Sequence, residues 1–420
     1  MTKSASRKGE QSADAIYALG FHSTFTCRQS GMCCRPGYWG IRVEAAERDR
    51  IVAALEDGRL TYPPGMNEPE QIFKRDNPTD RHVFFQEGEG GFCVLLDQER
   101  GGCRIHSQQG VEMLPGICRT YPRKSTRTEA GTFVSLACSC HGAVAMLFED
   151  SGPFEVVSDP PLGSEMLPTQ VIVGMPPPKL TPEMRLPLGA YHQWEARCVE
   201  ILSRDDLTPE LSLLTIASML EQGRVRQGGK EANSPFMKAL LVVGNHPDAL
   251  SMLREKIPLD RRLVIQHMRA ILGFGVFSNG AIRGVMELLM SRYGGDEAAA
   301  VERFKEDDLQ FVAGSWETFS LPLRRYIASR VFNNRLAWAT DGMRSTLFAV
   351  IMMLASVRVL SAVLCGQKEK PLDREVLEEA IRATDLLFNH SEGEIKQGGL
   401  NYFDRAEYMD PTDYLTPLRL

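Results

Sequence analysis

No apolar run follows the first charged residues of this 420-residue chain. Met1 to Gly20 carries Lys3, Arg7 and Lys8 but no signal-like hydrophobic segment, so a cytoplasmic, reducing setting is expected and a disulfide framework is not. A basic excess is also missing, and the net charge of −6 argues against a nucleic-acid-binding surface. Nor is there an unbroken apolar stretch of bilayer length. The longest candidate, Leu347 to Leu364, is interrupted by Arg358 and preceded by Arg344, and it reads as a buried core helix rather than a membrane span. Walker A, Gly-x-Ser-x-Gly and His-Glu-x-x-His patterns are absent. The nearest Gly-x-Gly, Gly273-Phe274-Gly275, follows a helical pattern where a dinucleotide fold needs a strand.

What the chain does have is cysteine in one place. Eight of its ten cysteines fall between Cys27 and His141: Cys27, Cys33, Cys34, Cys93, Cys103, Cys118, Cys138 and Cys140. A structural cysteine is usually a lone small hydrophobe on an apolar face. Most of these instead stand beside Gly, Arg, Ser or another Cys, in turn-like contexts where thiolates can converge on inorganic atoms. We therefore expect all eight as candidate metal ligands. The adjacent Cys33 and Cys34 are poorly spaced to bridge each other, which favours ligation further. Paired C-x2–4-C half-sites of structural zinc are missing, as are ferredoxin-like runs, so spacing indicates a metal without choosing it. Eight thiols exceed the four of one zinc and admit two ions or one polynuclear cluster. His106 and His141 sit beside cysteines and are secondary ligand candidates. Cys198 and Cys365 lie in helical patterns and read as packing residues. The basic tract Arg119, Arg123, Lys124 and Arg127 reads either as a solvated turn or as a contact for an anion or a cofactor carboxylate.

The fold expected is mainly α: a small cysteine-rich mixed α/β N-terminal unit followed by an all-α helical bundle. Residues 1–20 are polar and read as disordered, 21–157 as the metal-binding unit, and 158–187 as a Pro-rich connector that excludes a regular helix. In the first unit, strands are expected at Gly40–Val43, Arg81–Gln86, Phe92–Leu96 and Gly131–Ala137, with helices at Glu44–Leu55 and Gly142–Phe148. Residues 188–420 read as helices over Ala190–Ser203, Leu211–Gln222, Pro235–Val243, Leu259–Leu272, Ala281–Tyr293, Glu297–Lys305, Leu323–Thr340, Ser345–Leu364 and Asp373–Asn389. In the last, Asp373 is the expected N-cap, and Val376, Leu377, Ala380, Ile381, Thr384, Leu387 and Phe388 share one face.

The segments Gly91-Phe92-Cys93-Val94-Leu95-Leu96, Gly102-Cys103-Arg104-Ile105-His106 and Cys118-Arg119-Thr120-Tyr121-Pro122-Arg123 together resemble the zinc- or iron-chelating cysteine-cluster family, which opens C-x-x-C-x-x-C-C. More narrowly, the order is similar to the flagellin lysine-N-methylases: Cys-Cys followed by an aromatic turn (Tyr38-Trp39), then Tyr-Pro-Arg, then a Leu-Ala-Cys segment at Leu136-Ala137-Cys138. Ser30 stands where the wider family has its second cysteine, so the first group alone cannot supply four thiolates, and Cys140-His141 adds a second cysteine at the end. The resemblance implies an iron–sulfur centre, a 4Fe-4S cluster with zinc as the alternative. It also implies methyl transfer from S-adenosylmethionine to surface lysines of a flagellin-like protein. On that reading Arg119, Arg123 and Lys124 are candidates for the cofactor's carboxylate, and Tyr38 and Tyr121 are candidate catalytic groups beside the cluster. The rival expectation is a non-catalytic zinc- or cluster-stabilised scaffold that binds other proteins.

Overall fold

The computed structural model describes residues 15–34, 40–75, 81–88, 91–161, 176–228, 234–275, 280–332, 336–390 and 402–420. Eleven short strands occur in chain order: β1 Ile16–Leu19, β2 Arg42–Val43, β3 Phe73–Lys74, β4 Val83–Phe85, β5 Leu96–Asp97, β6 Gly102–Cys103, β7 Arg123–Thr128, β8 Gly131–Leu136, β9 Val156–Ser158, β10 Lys179–Thr181 and β11 Met184–Arg185. Among them run four helices: α1 Ala45–Glu56, α2 Arg104–Gln109, α3 Gly116–Thr120 and α4 His141–Ala145. Everything longer lies beyond residue 187, as expected for a mixed first unit and a helical body.

Local chemistry explains the boundaries. Glu44 and Glu47 form a capping box that starts α1, and Ile51, Ala54 and Leu55 then turn one face inward. The largest sheet runs β7-β8-β1-β9, with β1 parallel to β8 and the other pairs antiparallel. Gly131 ends the β7–β8 turn at φ +130, where a Cβ would meet the Ala15 carbonyl oxygen at 2.7 Å and the Tyr17 ring at 2.8 Å, so a side chain there would displace β1.

Three expectations need correction. The polar N-terminus ends sooner than residue 20, because Ile16-Tyr17-Ala18-Leu19 is apolar enough to enter that sheet, with Ala18 and Leu19 buried. The basic tract is not a solvated turn: Arg123–Thr128 is β7, paired from Arg123 opposite Leu136 to Thr128 opposite Gly131. Within the expected strand Phe92–Leu96, Leu96 alone belongs to a strand, while Cys93 makes an isolated bridge to Glu87.

The helical body contains α5 Leu188–Ser203, α6 Pro209–Arg226, α7 Pro235–Val242, α8 Pro247–Arg254, α9 Arg261–Gly275, α10 Gly280–Tyr293, α11 Glu297–Asp307, α12 Ala313–Trp316, α13 Ser320–Val331, α14 Leu336–Ala339, α15 Met343–Lys368 and α16 Arg374–His390. Thr208 and Ser234 cap α6 and α7 ahead of prolines at the first helical position. The helix expected over Leu323–Thr340 stops at Val331: Phe332 turns extended (φ −69°, ψ 127°), bringing its ring to 6.0 Å from Phe133. α15 is long and apolar enough to cross a membrane, but 94% of its most apolar window is buried in this fold, as its reading as a core helix requires. Asp373 Oδ1 accepts from the Val376 N–H at 2.9 Å to start α16, and the expected apolar face of that helix is buried.

Two main cores result. One fills the helical body and extends into the big sheet through Leu19, Phe21, Phe133, Val144 and Leu147. The other, built by Ile41, Val43, Ile51, Val83, Phe85, Leu95 and Ile105, supports a separate lobe.

Buried charge fastens the C-terminal segment to the body. Arg344 meets Glu221 with two contacts of 2.6 Å, Tyr414 donates to Glu221 at 3.1 Å, and Glu407 accepts from Arg224 at 2.5 Å and from the Ser345 N–H at 2.9 Å. Arg344→Met strands the buried Glu221 carboxylate and is expected to cost about 3–5 kcal/mol in urea unfolding. The Arg344→Met/Glu221→Leu pair is expected to recover most of that loss.

Candidate metal centre

The small lobe borders a cleft of about 640 Å3, its open mouth included. Its walls carry six thiols, those of Cys27, Cys33, Cys34, Cys103, Cys118 and Cys140, together with the imidazoles of His106 and His141. One wall belongs to the small lobe, where Cys34, Cys103 and Cys118 pack on the second core, with Cys93 buried in that core itself. The other wall rests on a small cluster of Phe25, Leu136, Ala143 and Met146, against which Cys140 packs.

Each wall is set by backbone geometry. Gly31 sits at φ +64, where a Cβ would lie 2.4 Å from the Gly101 carbonyl oxygen. Only glycine lets the Cys27–Cys34 loop approach the β5–β6 hairpin this closely. The Cys34 N–H then bonds the Gly31 carbonyl at 3.0 Å, and the Cys93 N–H bonds the Cys34 carbonyl at 3.0 Å, stacking Cys93 behind Cys34. Cys33 and Cys34 hold their sulfurs 3.9 Å apart. Cys103 and Cys140 both occupy the position just before a short helix, α2 and α4. The N–H groups of Ile105 and His106 point at one sulfur and those of Gly142 and Ala143 at the other.

Those donors favour thiolates, but burial outweighs them. It pushes the Cys103 thiol up and the Cys140 thiol up to about 11. Burial, followed by the neighbouring Cys103, raises Cys118 well above the usual thiol range. Cys33 rises because it donates to Cys34 and because hydration is lost, although solvent reaches it from the mouth. For Cys34 the bond from Cys33 pulls down, while Cys93 and burial pull up more strongly. Without metal, burial therefore favours the protonated thiol at Cys33, Cys34, Cys103, Cys118 and Cys140.

The expected site residues divide clearly. Cys27, Cys33, Cys34, Cys103, Cys118 and Cys140 meet at the cleft, with Tyr121, His106 and His141. Cys93 stands behind Cys34. Cys138 is turned into the core of the helical body, 3.6 Å from Ser329 Oγ, and the cleft is formed without it. None of the three basic candidates lines the cleft. Arg119 pairs with Glu112 at 3.6 Å, Arg123 is buried against the Phe25 ring and donates to the Phe25 carbonyl at 3.3 Å, and Lys124 stands on β7 opposite Ser135. Tyr121 is half-buried with its hydroxyl 3.0 Å from Ser139 Oγ; lost hydration, then the nearby Cys140, keeps the phenol protonated. Tyr38 lies outside the described residues. Cys198 and Cys365 are buried in the helical core. The sequence did not point to Arg28, bridged to Glu149 at 2.5 Å, or to Gln29, 3.5 Å from His106. Nothing local marks either one.

The donor set fits a soft metal. The lining residues supply thiols and imidazoles and no carboxylate, which suits zinc or iron rather than calcium or magnesium. The His141 Nδ1 is buried without a hydrogen-bond partner, as a nitrogen awaiting a ligand role would be. Yet among the described residues no three His, Cys, Asp or Glu side chains are gathered closely enough to hold an ion as they stand. Loading must draw the walls together or span them with more than one metal atom.

Residues 26–141 match the family described as "Putative zinc- or iron-chelating domain", named CxxCxxCC. The matched stretch, roughly a quarter of the chain, takes in all eight clustered cysteines. Neither the curated proteins nor the solved structures provide a match to the chain.

Because folded Cys140 holds its proton up to about pH 11 while a free thiol releases it near 9, the metal-free protein is expected to lose stability as pH climbs through that window. Metal uptake must expel these protons, so zinc affinity is expected to rise with pH, by up to about tenfold per unit for each proton released. Calorimetric zinc titrations in buffers of different ionisation enthalpy count those protons. A release of none would contradict thiolate ligation.

Proposed function

We propose that the cleft holds an iron–sulfur cluster and that the protein is a lysine N-methyltransferase. Its methyl donor is S-adenosylmethionine and its acceptor a surface lysine of a flagellin-like protein. The observation that carries the metal part is the meeting of six thiols from two facing walls around an open space. A closed mononuclear zinc site holds four sulfurs at about 2.3 Å from the ion, hence only about 3.8 Å from one another. Walls whose donors do not yet close on one ion are better bridged by a polynuclear cluster. The methyl-transfer part rests on the resemblance of the Cys33-Cys34, Cys118–Arg123 and Leu136–Cys138 segments to the flagellin lysine-N-methylases, and on the open mouth.

A cluster held by thiols of the two walls, Cys33, Cys34, Cys103, Cys118 and Cys140 among them, would supply an iron atom able to bind the amino and carboxylate groups of the methionine moiety. The reaction is a displacement: the lysine nitrogen lone pair forms the N–CH3 bond as the S–CH3 bond breaks, and S-adenosylhomocysteine leaves. The acceptor must lose a proton before attack, since a free lysine has a pKa near 10.4. The protonated Tyr121 phenol can donate a hydrogen bond but cannot take that proton. His106, whose imidazole burial holds below its ordinary value and hence neutral at pH 7, is the lining group placed to do so.

A second reading has its own support. Cys33 and Cys34, 3.9 Å apart, match one edge of a tetrahedral zinc, and a zinc-stabilised, protein-binding scaffold needs no open site. Iron, sulfide and zinc analysis of anaerobically purified protein separates the two. Iron with sulfide, binding of S-adenosylmethionine by calorimetry, and a 14-Da gain on an acceptor lysine support the enzyme. A colourless, zinc-only protein that ignores the cofactor overturns it. Cys33→Ala/Cys34→Ala is expected to lose bound metal, and Cys198→Ala and Cys365→Ala to keep it. Wild-type metal content in the double variant sinks the assignment of the cleft.

A further inference from the structure

Two of the six cleft thiols, Cys27 and Cys140, are flanked by residues tied to a single helix of the distant body. α16 presents a polar stripe of Arg374, Glu378, Arg382 and Asp385 at helical spacing. At its start, Arg374 pairs with Glu149 at 3.6 Å, and Glu149 pairs with Arg28, the neighbour of Cys27. Toward its end, the fully buried Asp385 accepts from the Ser139 N–H at 2.8 Å, and Arg382 Nε donates to the Ser139 carbonyl at 3.3 Å. Ser139 is the residue before Cys140, and its hydroxyl holds Tyr121 of the cleft. Asp385 is itself fixed by Arg330 of α13 at 3.2 Å, an ion pair removed from solvent. A carboxylate buried at that cost has to be held by charge and by hydrogen bonds together, and the groups it meets here include an arginine and the peptide of the cysteine loop.

We propose that Asp385 is a positioning residue of the metal centre: through Ser139 it sets where Cys140 and Tyr121 stand relative to the opposite wall of Cys33, Cys103 and Cys118. The metal centre is thus completed by the helical body, and residues 26–141 alone lack the element that holds one wall in place. This rests on the cleft being a metal site, as proposed above. The contact is to the peptide of the ligand loop rather than to the metal, and outer-shell partners of this kind typically govern metal affinity by about 10–100-fold.

The test uses the full-length, metal-free protein and site-resolved alkylation of its cysteines, followed by zinc titration. Asp385→Ala/Arg330→Met removes the acceptor without stranding a charge. It is expected to raise alkylation of Cys140 about tenfold and to weaken zinc binding about 10–100-fold, with Cys103 within about twofold of wild type and Cys198 and Cys365 still protected. Asp385→Asn/Arg330→Met, which keeps an oxygen toward Ser139 and leaves no buried arginine unpaired, is expected to stay near wild type. Unchanged Cys140 reactivity, or unchanged zinc affinity in a wild type that does bind zinc, overturns this inference alone. A wild type that binds neither zinc nor iron overturns the metal reading and this inference with it. Should Cys198 and Cys365 become reactive, showing that the double variant unfolds, Arg382→Met at a half-buried site decides. A several-fold rise confined to Cys140 supports the positioning role, and no rise overturns it.

Discussion

Thiols can share a metal only if the surfaces that bear them are held face to face, and here those surfaces belong to different cores. Cys34, Cys103 and Cys118 are packed on the small lobe's apolar cluster, whereas Cys140 rests on Phe25, Leu136, Ala143 and Met146 beside the helical body. No local interaction between neighbouring cysteines can produce that facing arrangement. It depends on how each wall is fixed, and the Cys140 wall is tied to the helical body by polar contacts: the Arg28–Glu149–Arg374 chain and the Ser139–Asp385–Arg330 contacts. Apolar packing backs each wall, and charge ties the Cys140 wall to the body.

That division of labour explains the protonation state of the site. Thiols backed by apolar cores lose hydration, which favours the neutral form, while the N–H groups at the starts of α2 and α4 are aimed at the sulfurs of Cys103 and Cys140. The same N–H groups that only moderate the shift in the empty cleft become direct hydrogen bonds to thiolate once a cation replaces the protons. Donors placed ahead of the charge they serve need no rearrangement when it arrives. Burial thus holds Cys103 and Cys140 as neutral thiols without metal, while the backbone beside them is already disposed toward thiolates.

How much of this the sequence revealed follows from the range of the interactions involved. Helices with apolar faces and capping residues were legible because their signals lie within a few residues: Glu44 and Glu47 for α1, and Asp373 for α16. Six of the eight clustered cysteines line the cleft, which concentration alone anticipated. Cys138 shows the limit. It is two residues from Cys140 and looks identical in sequence, but it follows just after β8 and is turned into the core of the helical body. Arg123 shows another, since a basic tract between cysteines looks like a loop until its pairing partner, Gly131–Leu136, is known. Asp385 could not be found at all, because its contact with Ser139 spans 246 positions and its immediate neighbours describe only an ordinary amphipathic helix.

The boundaries suggested by composition and those imposed by packing also differ in meaning. The Pro-rich stretch before residue 187 marks a change in secondary structure, but the main core runs across it, joining Leu19, Phe133 and Val144 to α5 and α13. Even the described end of the connector is held down, with Leu180 in that core and its carbonyl accepting from Arg224 at 3.0 Å. A chelating domain recognised over residues 26–141 is thus a unit of sequence, while the physical unit that presents its cysteines includes part of the helical body. A fragment cut to the matched stretch lacks α16 and nearly all of the core around Cys138, and it exposes Phe133 to water. Such a fragment retains every thiol but loses what holds them opposite one another. Its metal affinity therefore measures the thiols' chemistry without their geometry, and the difference from the whole chain measures what the fold contributes.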